Sequence, residues 1–490
     1  MMKKLILSII TLTALSFTSC SSDDDSAPTG GDANDVNAFV WRGLNTWYYW
    51  QSDIPDLSDN ITETAYNSLI TNNTPETLFN SLLYQKGVVD RNSFILSDYT
   101  VLENGLSGVS VSAGFEYGTQ KFSNSEDSFI FIVYVVPGTS AYQAGIKRGD
   151  VFLSANGQNF TSDNTSTLLA SPTVELVKGE FIIEDDGSTV IQAGDSITVQ
   201  TSEEQENPII YSSVIEKNGN KIGYLFFNSF TREFNDELNT VFADFKTKGI
   251  NELVLDLRYN GGGDVEMATY LASMIKGEGN NGKLFSQLRF NEKSGFINNY
   301  NFVNTLNVYS LNQDDPIATE SINELNLSRL FVIGTGNTAS ASELIINGLR
   351  PYMDVVLVGN TTYGKDVASF TLYDSSTFNK NNINPDHKYA MQPIVAKNFN
   401  SKGESDYSRG FQPDIQVDDF TEPLGAMSQF GELTEPMLNA ALVEIDPSFV
   451  VTSSARVNKL MKKGITIREA NLSSENNRLN YEMVIRDLPQ

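Results

Sequence analysis

The sequence predicts a multidomain α/β protein: a small helical unit, then a β-rich unit, then a larger core of alternating strands and helices. Three observations carry this. The chain has 490 residues, more than one compact core accommodates. Its apolar pattern changes character twice, from helical spacing to short β-rich runs near residue 106, and to alternating strands and helices near residue 208. Hydrophobic residues make up 40 % and aromatic residues 11 % of the chain, enough for several packed interiors.

The first 19 residues have the anatomy of a signal peptide. "MMKK" supplies positive charge, and "LILSIITLTALSF" is an apolar run too short to span a bilayer comfortably. Cys20 ends this run and, as the only cysteine, has no partner for an internal disulfide. "FTSC" resembles a bacterial lipobox, with Phe17 where leucine is usual. That resemblance implies a lipidated Cys20 and a cell-envelope lipoprotein of the outer membrane that meets the membrane only through its anchor. Residues 20–35 are polar, acidic and rich in Gly, Ser and Asp, as suits a solvated tether. Their acidic run also resembles the surface-export signal of Bacteroidetes lipoproteins, which implies an outward-facing location.

Residues 36–105 form the helical unit. Apolar residues recur at helical spacing around Trp41, Trp47 and Trp50 and again in "TPETLFNSLLY", and this aromatic wealth suits a core better than a ligand site. Thr74 is suited to the N-cap, Pro75 to the first helical position and Glu76 to the first turn.

Residues 106–207 carry β-rich runs such as "FIFIVYVV" and "SITVQ", broken by Gly, Pro and Asn. "VVPGTSAYQAGIKRGDVFLSANGQNF" resembles a PDZ domain, with a strand, a short helix and a second strand that ends at Asn156 and Gly157. The resemblance implies capture of a peptide's terminal carboxylate by loop N–H groups near Ala113, Gly114 and Phe115, with a sheet edge accepting the peptide as a strand. Residues 159–200 are diffuse in pattern and are expected to hold an insertion.

Residues 208–445 alternate strands and helices. "KIGYLFFNSF", "NELVLDLRY", "RLFVIG" and "DVVLVG" read as strands, while "DELNTVFADFKTKG", "DVEMATYLASMIKG" and "SASELIINGLRPYM" read as helices. Such units argue for a parallel-type sheet covered by helices. Within them, residues 277–329 are Asn-rich and read as an insertion, and the extension 446–490 has no assigned role.

Composition removes most reaction classes. A net charge of −27 with no basic cluster argues against nucleic acid as a partner. One histidine and one cysteine exclude HExxH and cysteine-rich metal sites and Cys–His dyads, so neither metal nor cofactor is expected. The lone His387 lies in a polar stretch, "NINPDHKYA", and is expected to be a surface residue. Ser273 and Lys276 match S-x-x-K, but in an amphipathic helix and without the companion motifs in order.

A serine nucleophile would then need another base, and a buried lysine is the main alternative. A free lysine titrates near about 10.4, so it must be desolvated to be neutral near pH 7. In "GNTASASELIINGLRPYMDVVLVGNTTYGKDVAS" a strand ends in a turn, a helix starts at "SASE", and after the next strand the turn "TTYG" presents Lys365. A serine there lies near helix N-terminal N–H groups, which favour an oxyanion.

"TASASELI" followed by "VGNTTYGK" resembles the active-site core of the carboxyl-terminal processing peptidases, a family of Ser–Lys enzymes also called tail-specific proteases. Their lysine follows the nucleophile by 25 positions, which selects Ser340 over Ser342 for Lys365. "LVLDLRYNGGGD" resembles a second family motif, implying oxyanion donors at Gly262 and Ala341. "DRNSF", "GYLFFNSF" and "GFQPDI" also fall where related segments fall, so that the resemblance spans roughly residues 90–420. It implies a ClpP/crotonase-like α/β catalytic core joined to the PDZ-like domain and the helical N-terminal domain. It also implies endopeptidase action on unfolded or C-terminally tagged proteins. Two positions depart from the family pattern: Thr338 replaces its first serine, and Ser369 stands where a glutamine is often found four residues after the lysine. The second departure leaves an inactive peptide-binding scaffold as the alternative, and a reshaped cleft acting as an esterase as a third reading.

Overall fold

The computed structural model describes residues 33–450, apart from positions 124, 186–188 and 312, together with residues 471–473, 483–486 and 488. The segment read as a signal peptide, Cys20, and all but the last three residues of the stretch read as a tether lie outside the described residues.

The N-terminal unit packs three helices, Ala33–Trp47, Glu63–Thr71 and Pro75–Ser81. The third starts as its sequence predicts: Thr74 caps it by accepting from Thr77 N, and Pro75 occupies the first turn. Its apolar face, with Val36, Phe39 and Leu44 of the first helix, joins the main hydrophobic core. Trp47, Trp50 and Trp41 belong to or pack on that core, in keeping with a packing role.

The β-rich unit is a seven-stranded sheet in the spatial order Asn471–Leu472, Phe115–Lys121, Asp127–Val135, Gln158–Thr161, Val151–Ala155, Thr173–Ile183 and Thr189–Gln200. Asn156 and Gly157 both have positive φ and turn the chain between two of these strands. The stretch expected to hold an insertion folds as a helix, Thr165–Leu169, and a long antiparallel hairpin. Val174 and Leu176 of that hairpin are buried and Glu175 between them is exposed, so period-2 alternation was present in a stretch dominated by polar residues.

The core is built on a six-stranded sheet ordered Ile209–Lys217, Asn220–Phe227, Glu252–Asp256, Arg329–Gly334, Asp354–Gly359 and Ile415–Gln416. All neighbours except the first pair run parallel. Helices Asn235–Lys248, Val265–Lys276 and Ala341–Leu349 supply the crossovers. Gly249, in the left-handed conformation, stops the first of these. A second six-stranded sheet contains Gly263–Asp264, Met483–Ile485, Val367–Phe370, Ile394–Asn400, Leu284–Phe290 and Ile297–Asn301 in that order. The 277–329 stretch, read as an insertion, is integrated into this sheet and its core. Leu284–Phe290 pairs with Ile394–Asn400, and Phe285, Leu288, Phe302 and Leu306 are buried in the main core. Its many asparagines hid this, because its apolar residues are spread over short strands.

Candidate active site

The strand Arg329–Gly334 delivers the chain to Ser340 at the start of helix Ala341–Leu349. Ser340 has φ 62° and ψ −112°, a conformation that L-residues rarely adopt and that costs about 1–3 kcal/mol. The turn holds because its neighbours are tied elsewhere. Ala339 N donates to Asn260 O, and Thr338 Oγ1 donates to Leu257 O. Ser342 Oγ donates to Asn260 O at 2.9 Å. Ser340 Oγ is buried and, among the described residues, is without a hydrogen-bond partner. Of the three hydroxyls in this turn, Ser340 alone has one uncommitted. Ala341 occupies the first helical position, where an N–H has no acceptor within its own helix.

Lys365 follows the turn after strand Asp354–Gly359 and is buried. The carboxylate of Glu343 ties this turn to the serine. It accepts from Ser340 N at 3.0 Å, Gly364 N at 2.8 Å and Lys365 N at 2.8 Å, and also from Thr362 Oγ1. Burial pushes its pKa up to about 7 against the opposing pull of those donors. Beside it, Tyr407 is held well above its ordinary range, by burial and then by the charge on Glu343. Arg91 completes the arrangement from the N-terminal side: its Nη2 donates to Gly364 O, and its guanidinium lies 4.7 Å from the centre of the Tyr363 ring. The peptide unit joining Gly364 to Lys365 is thus held at its carbonyl by a cation and at its N–H by a carboxylate. Gly364 has φ +88° and lies against the backbone of Ser408 and Gly410, so only glycine fits there.

Gly262, with φ 117°, leads into the strand Gly263–Asp264. Its N–H donates to Asn260 Oδ1 at 2.9 Å, so it must give up that bond before it can hold an oxyanion. Ser369 is buried; its Oγ accepts from Gln392 Nε2 at 3.0 Å and donates to Met483 O at 3.4 Å. A glutamine amide from a different strand therefore reaches the side chain at this position.

Sequence reasoning quoted Glu343 within its motif but gave it no role, and it named neither Arg91 nor Gln392 as a site residue. Each acts through a fold contact far away in sequence. The expectation for His387 is corrected: it is buried, not a surface residue. Its Nδ1 accepts from Tyr389 N at 3.0 Å and its Nε2 lies 3.1 Å from Asp374 Oδ2, which makes it an anchor between a loop and the first helix. Burial raises the pKa of Asp374, but hydrogen bonds from His387 and Asn384 outweigh it and hold the carboxyl below its ordinary value. Ser273 Oγ is committed to Thr269 O and Lys276 Nζ to Asn326 Oδ1, so the S-x-x-K match is structural. In the PDZ-like unit, Ala113 is buried, Gly114 has φ +87° with its N–H given to Ser112 Oγ, and Phe115 opens the edge strand. Among the described residues there is no cluster of His, Cys, Asp or Glu suited to a metal ion.

Comparison with known proteins agrees with this architecture. The model of peptidase family S41 matches residues 221–417, that of the peptidase S41 N-terminal domain matches residues 35–94, and a PDZ-domain model matches residues 131–177. The carboxy-terminal processing protease CtpA of Bacillus subtilis is 25 % identical over 313 residues, spanning 63 % of this chain and 57 % of the relative. A carboxyl-terminal-processing protease of Picosynechococcus is 24 % identical over 311 residues, spanning 59 % of this chain and 68 % of the relative. The chain thus matches only a little over half the length of the Bacillus protein. Among solved structures, one described as an S41 protease of Bacteroides fragilis aligns with a TM-score of 0.67 at 27 % identity, covering 84 % of this chain and 97 % of its own. By its sequence motifs, its domain composition and its fold, the chain belongs to peptidase family S41.

Proposed function

We propose that the chain is a serine peptidase that cleaves unfolded or C-terminally tagged proteins through Ser340 and Lys365. The observation that carries this reading is the pairing of one uncommitted, strained, buried serine hydroxyl with a buried lysine turn, both gripped by Glu343. A base must be neutral to accept a proton, and removal from water is what disfavours an ammonium ion. Lys365 takes the Ser340 proton as Oγ attacks the scissile carbonyl carbon. The Ala341 N–H holds the oxyanion, joined by Gly262 once its bond to Asn260 is released. The lysine then protonates the departing amine, and afterwards it activates the water that hydrolyses the acyl-enzyme. The strand Phe115–Lys121, whose outer side is paired at Gly118 and Thr119 by Leu472 and Asn471, would capture substrate tails beside Phe115. The named relatives are proteases, and Ser340 and Lys365 are both present in this chain, so the scaffold reading has less support.

The test is a form beginning after Cys20, incubated with an unfolded protein that bears an apolar C-terminus. Ser340→Ala and Lys365→Ala are each expected to lose on the order of ten-thousandfold or more in kcat. Equal cleavage by all three forms refutes the dyad; intact peptide binding without cleavage favours the scaffold. We further propose an envelope lipoprotein anchored at Cys20. Cys20→Ala should move the protein out of the membrane fraction, and continued retention there would count against the anchor.

A further inference from the structure

Asn260 is fully buried between the two halves of the proposed machinery and bonds to both. Its main-chain carbonyl accepts from Ala339 N at 3.1 Å and from Ser342 Oγ at 2.9 Å, gripping the turn on either side of Ser340. Its side chain serves the other half: Oδ1 accepts from Gly262 N at 2.9 Å, and Nδ2 donates to Phe227 O at 3.0 Å. Thr338 Oγ1 to Leu257 O and Thr335 Oγ1 to Arg258 O join the same two segments farther back. The nucleophile turn is therefore fixed to the main chain of residues 257–260, whereas the Gly262 N–H is held by a side chain. The segment that follows can move at one peptide. Gly261, Gly262 and Gly263 stand in a row. Gly262 O accepts from Phe230 N at 2.9 Å and Asp264 N donates to Phe230 O at 2.8 Å, which pins the chain beyond Gly262. Between that anchor and Asn260 lies the Gly261–Gly262 peptide. Turning its plane changes ψ of Gly261 and φ of Gly262, two angles that glycine rotates at little steric cost.

We propose that Asn260 is the positioning residue of the oxyanion site: its Oδ1 holds the Gly262 N–H in reserve, and the Gly261–Gly262 peptide turns to the substrate only as charge develops on the attacked carbonyl oxygen. This role rests on the peptidase reading of the Ser340 site. An amide oxygen is a stand-in of suitable strength. At rest it satisfies a buried N–H that would be costly to leave bare. A ground-state carbonyl is another neutral acceptor, so exchanging Asn260 for it gains no stronger bond and strips Oδ1 of its donor. The resting arrangement therefore persists when substrate first binds. An oxyanion is charged, and hydrogen bonds to charged groups are roughly twice as strong as neutral ones. The exchange becomes favourable at that stage, so its free energy is realised in the transition state and appears in kcat, not KM. The main-chain tie from Asn260 to the Ser340 turn stays in place throughout, keeping the nucleophile beside the N–H that moves.

Magnetic resonance of the full chain, made with isotope-labelled glycine, reads the Gly262 amide directly. A peptide boronate that bonds to Ser340 Oγ presents a negatively charged tetrahedral centre and is expected to shift this resonance downfield. An uncleavable peptide of the same sequence, which offers only neutral carbonyls, is expected to leave it in place. Two variants give the kinetic counterpart. Near about pH 8 an ordinary carboxyl is ionised, so Asn260→Asp keeps the acceptor and adds a charge that holds the N–H more tightly. It should lower kcat about a hundredfold, as for the loss of one oxyanion donor, with KM within about twofold. Asn260→Ala frees the N–H and should cost less than about tenfold in kcat. The Asn260→Asp deficit should shrink as pH falls, because a protonated carboxyl donates to Phe227 O and accepts from Gly262 N much as the amide does. A Gly262 resonance unmoved by a boronate bonded to Ser340 would overturn the inference and leave the dyad standing. So would equal losses of kcat in the two variants at every pH, which would make Asn260 a former of the turn alone. Should neither variant fold, the boronate measurement on the unaltered chain decides. If no boronate bonds to Ser340 and no form cleaves, the peptidase reading falls and the role of Asn260 falls with it.

Discussion

At the scale of single residues, Glu343 is the group that ties the backbone at Ser340 to the backbone at Lys365. Three of its four donors are backbone N–H groups, which cannot become acceptors, so they need an ionised carboxylate opposite them. Its pKa, pushed up to about 7 by burial, places that requirement near neutrality. Below pH 7 the protonated form predominates and one oxygen stops accepting; above it the carboxylate holds both segments. Activity is therefore expected to rise through pH 7, and a pH–rate profile of Glu343→Gln should be lower overall and lack this titration. An unchanged profile would show that the limb belongs to another group. The same scale explains why Ser340 is preferred to Ser342. Spacing from Lys365 pointed to it by resemblance, and the hydroxyl commitments of Thr338 and Ser342 give an independent physical reason.

At the scale of elements, the site is a contact between two loops that the parallel sheet brings to one end. Neighbouring parallel strands Arg329–Gly334 and Asp354–Gly359 end side by side, so the turn before one helix and the turn after the next strand must meet. What the sheet does not set is the orientation of the Gly364–Lys365 peptide, and there the N-terminal segment enters through Arg91. Arg91→Ala removes the donor to Gly364 O and the cation over Tyr363, leaving the turn to Glu343 and to the backbone bonds from Thr362 N to Phe411 O and Tyr363 N to Thr338 O. The expected result is a kcat lowered about tenfold to a hundredfold with KM little changed, because the effect is on alignment and not on substrate contact. Recovery of kcat in Arg91→Lys would support a positional role, while an equal rise in KM would point to substrate binding.

At the scale of the whole molecule, one buried ionic network joins three parts of the chain. Arg148 of the PDZ-like unit donates to Asp419 at 2.7 Å and to Tyr259 at 3.0 Å. Arg258, two residues after Asp256 and four before Gly262, binds Asp256, Asp419 and Glu435. Burial alone would raise all three carboxyls. The arginines reverse this for Asp419 and Glu435, which are held below their ordinary values, while Asp256 stays raised by burial. Asp419 and Glu435 thus add stability above their unfolded pKa values, near about 4, that is lost as pH falls through the lower folded values. Arg258→Met strands these carboxylates in the interior and should destabilise the protein by about 3–5 kcal/mol in urea unfolding. A loss under about 1 kcal/mol would mean that water or Arg148 compensates. The network also fixes the PDZ-like unit next to the segment that leads to Gly262.

Local information sufficed for much of this protein. Strand and helix positions in the core, the Thr74 cap, the Asn156–Gly157 turn and the Ser340–Lys365 segment were legible because periodicity, caps and turn residues act over a few neighbours. The hairpin after residue 172 was legible only in its "SITVQ" end, and residues 277–329 only as scattered β signals, because polar side chains masked an alternation that packing makes decisive. The scarcity of histidine was a compositional fact, and the one histidine, His387, lies in a stretch that fits no triad motif, which left a lysine as the main alternative base. Tertiary structure alone decided the rest. The Glu343 carboxylate, the Arg91 grip, the burial of His387, the amide of Gln392 beside Ser369 and the tail strand beside Gly263 all join residues tens to hundreds of positions apart. Such contacts depend on where the chain returns, and no local pattern encodes that; each becomes definite only when the sheets close and water is excluded.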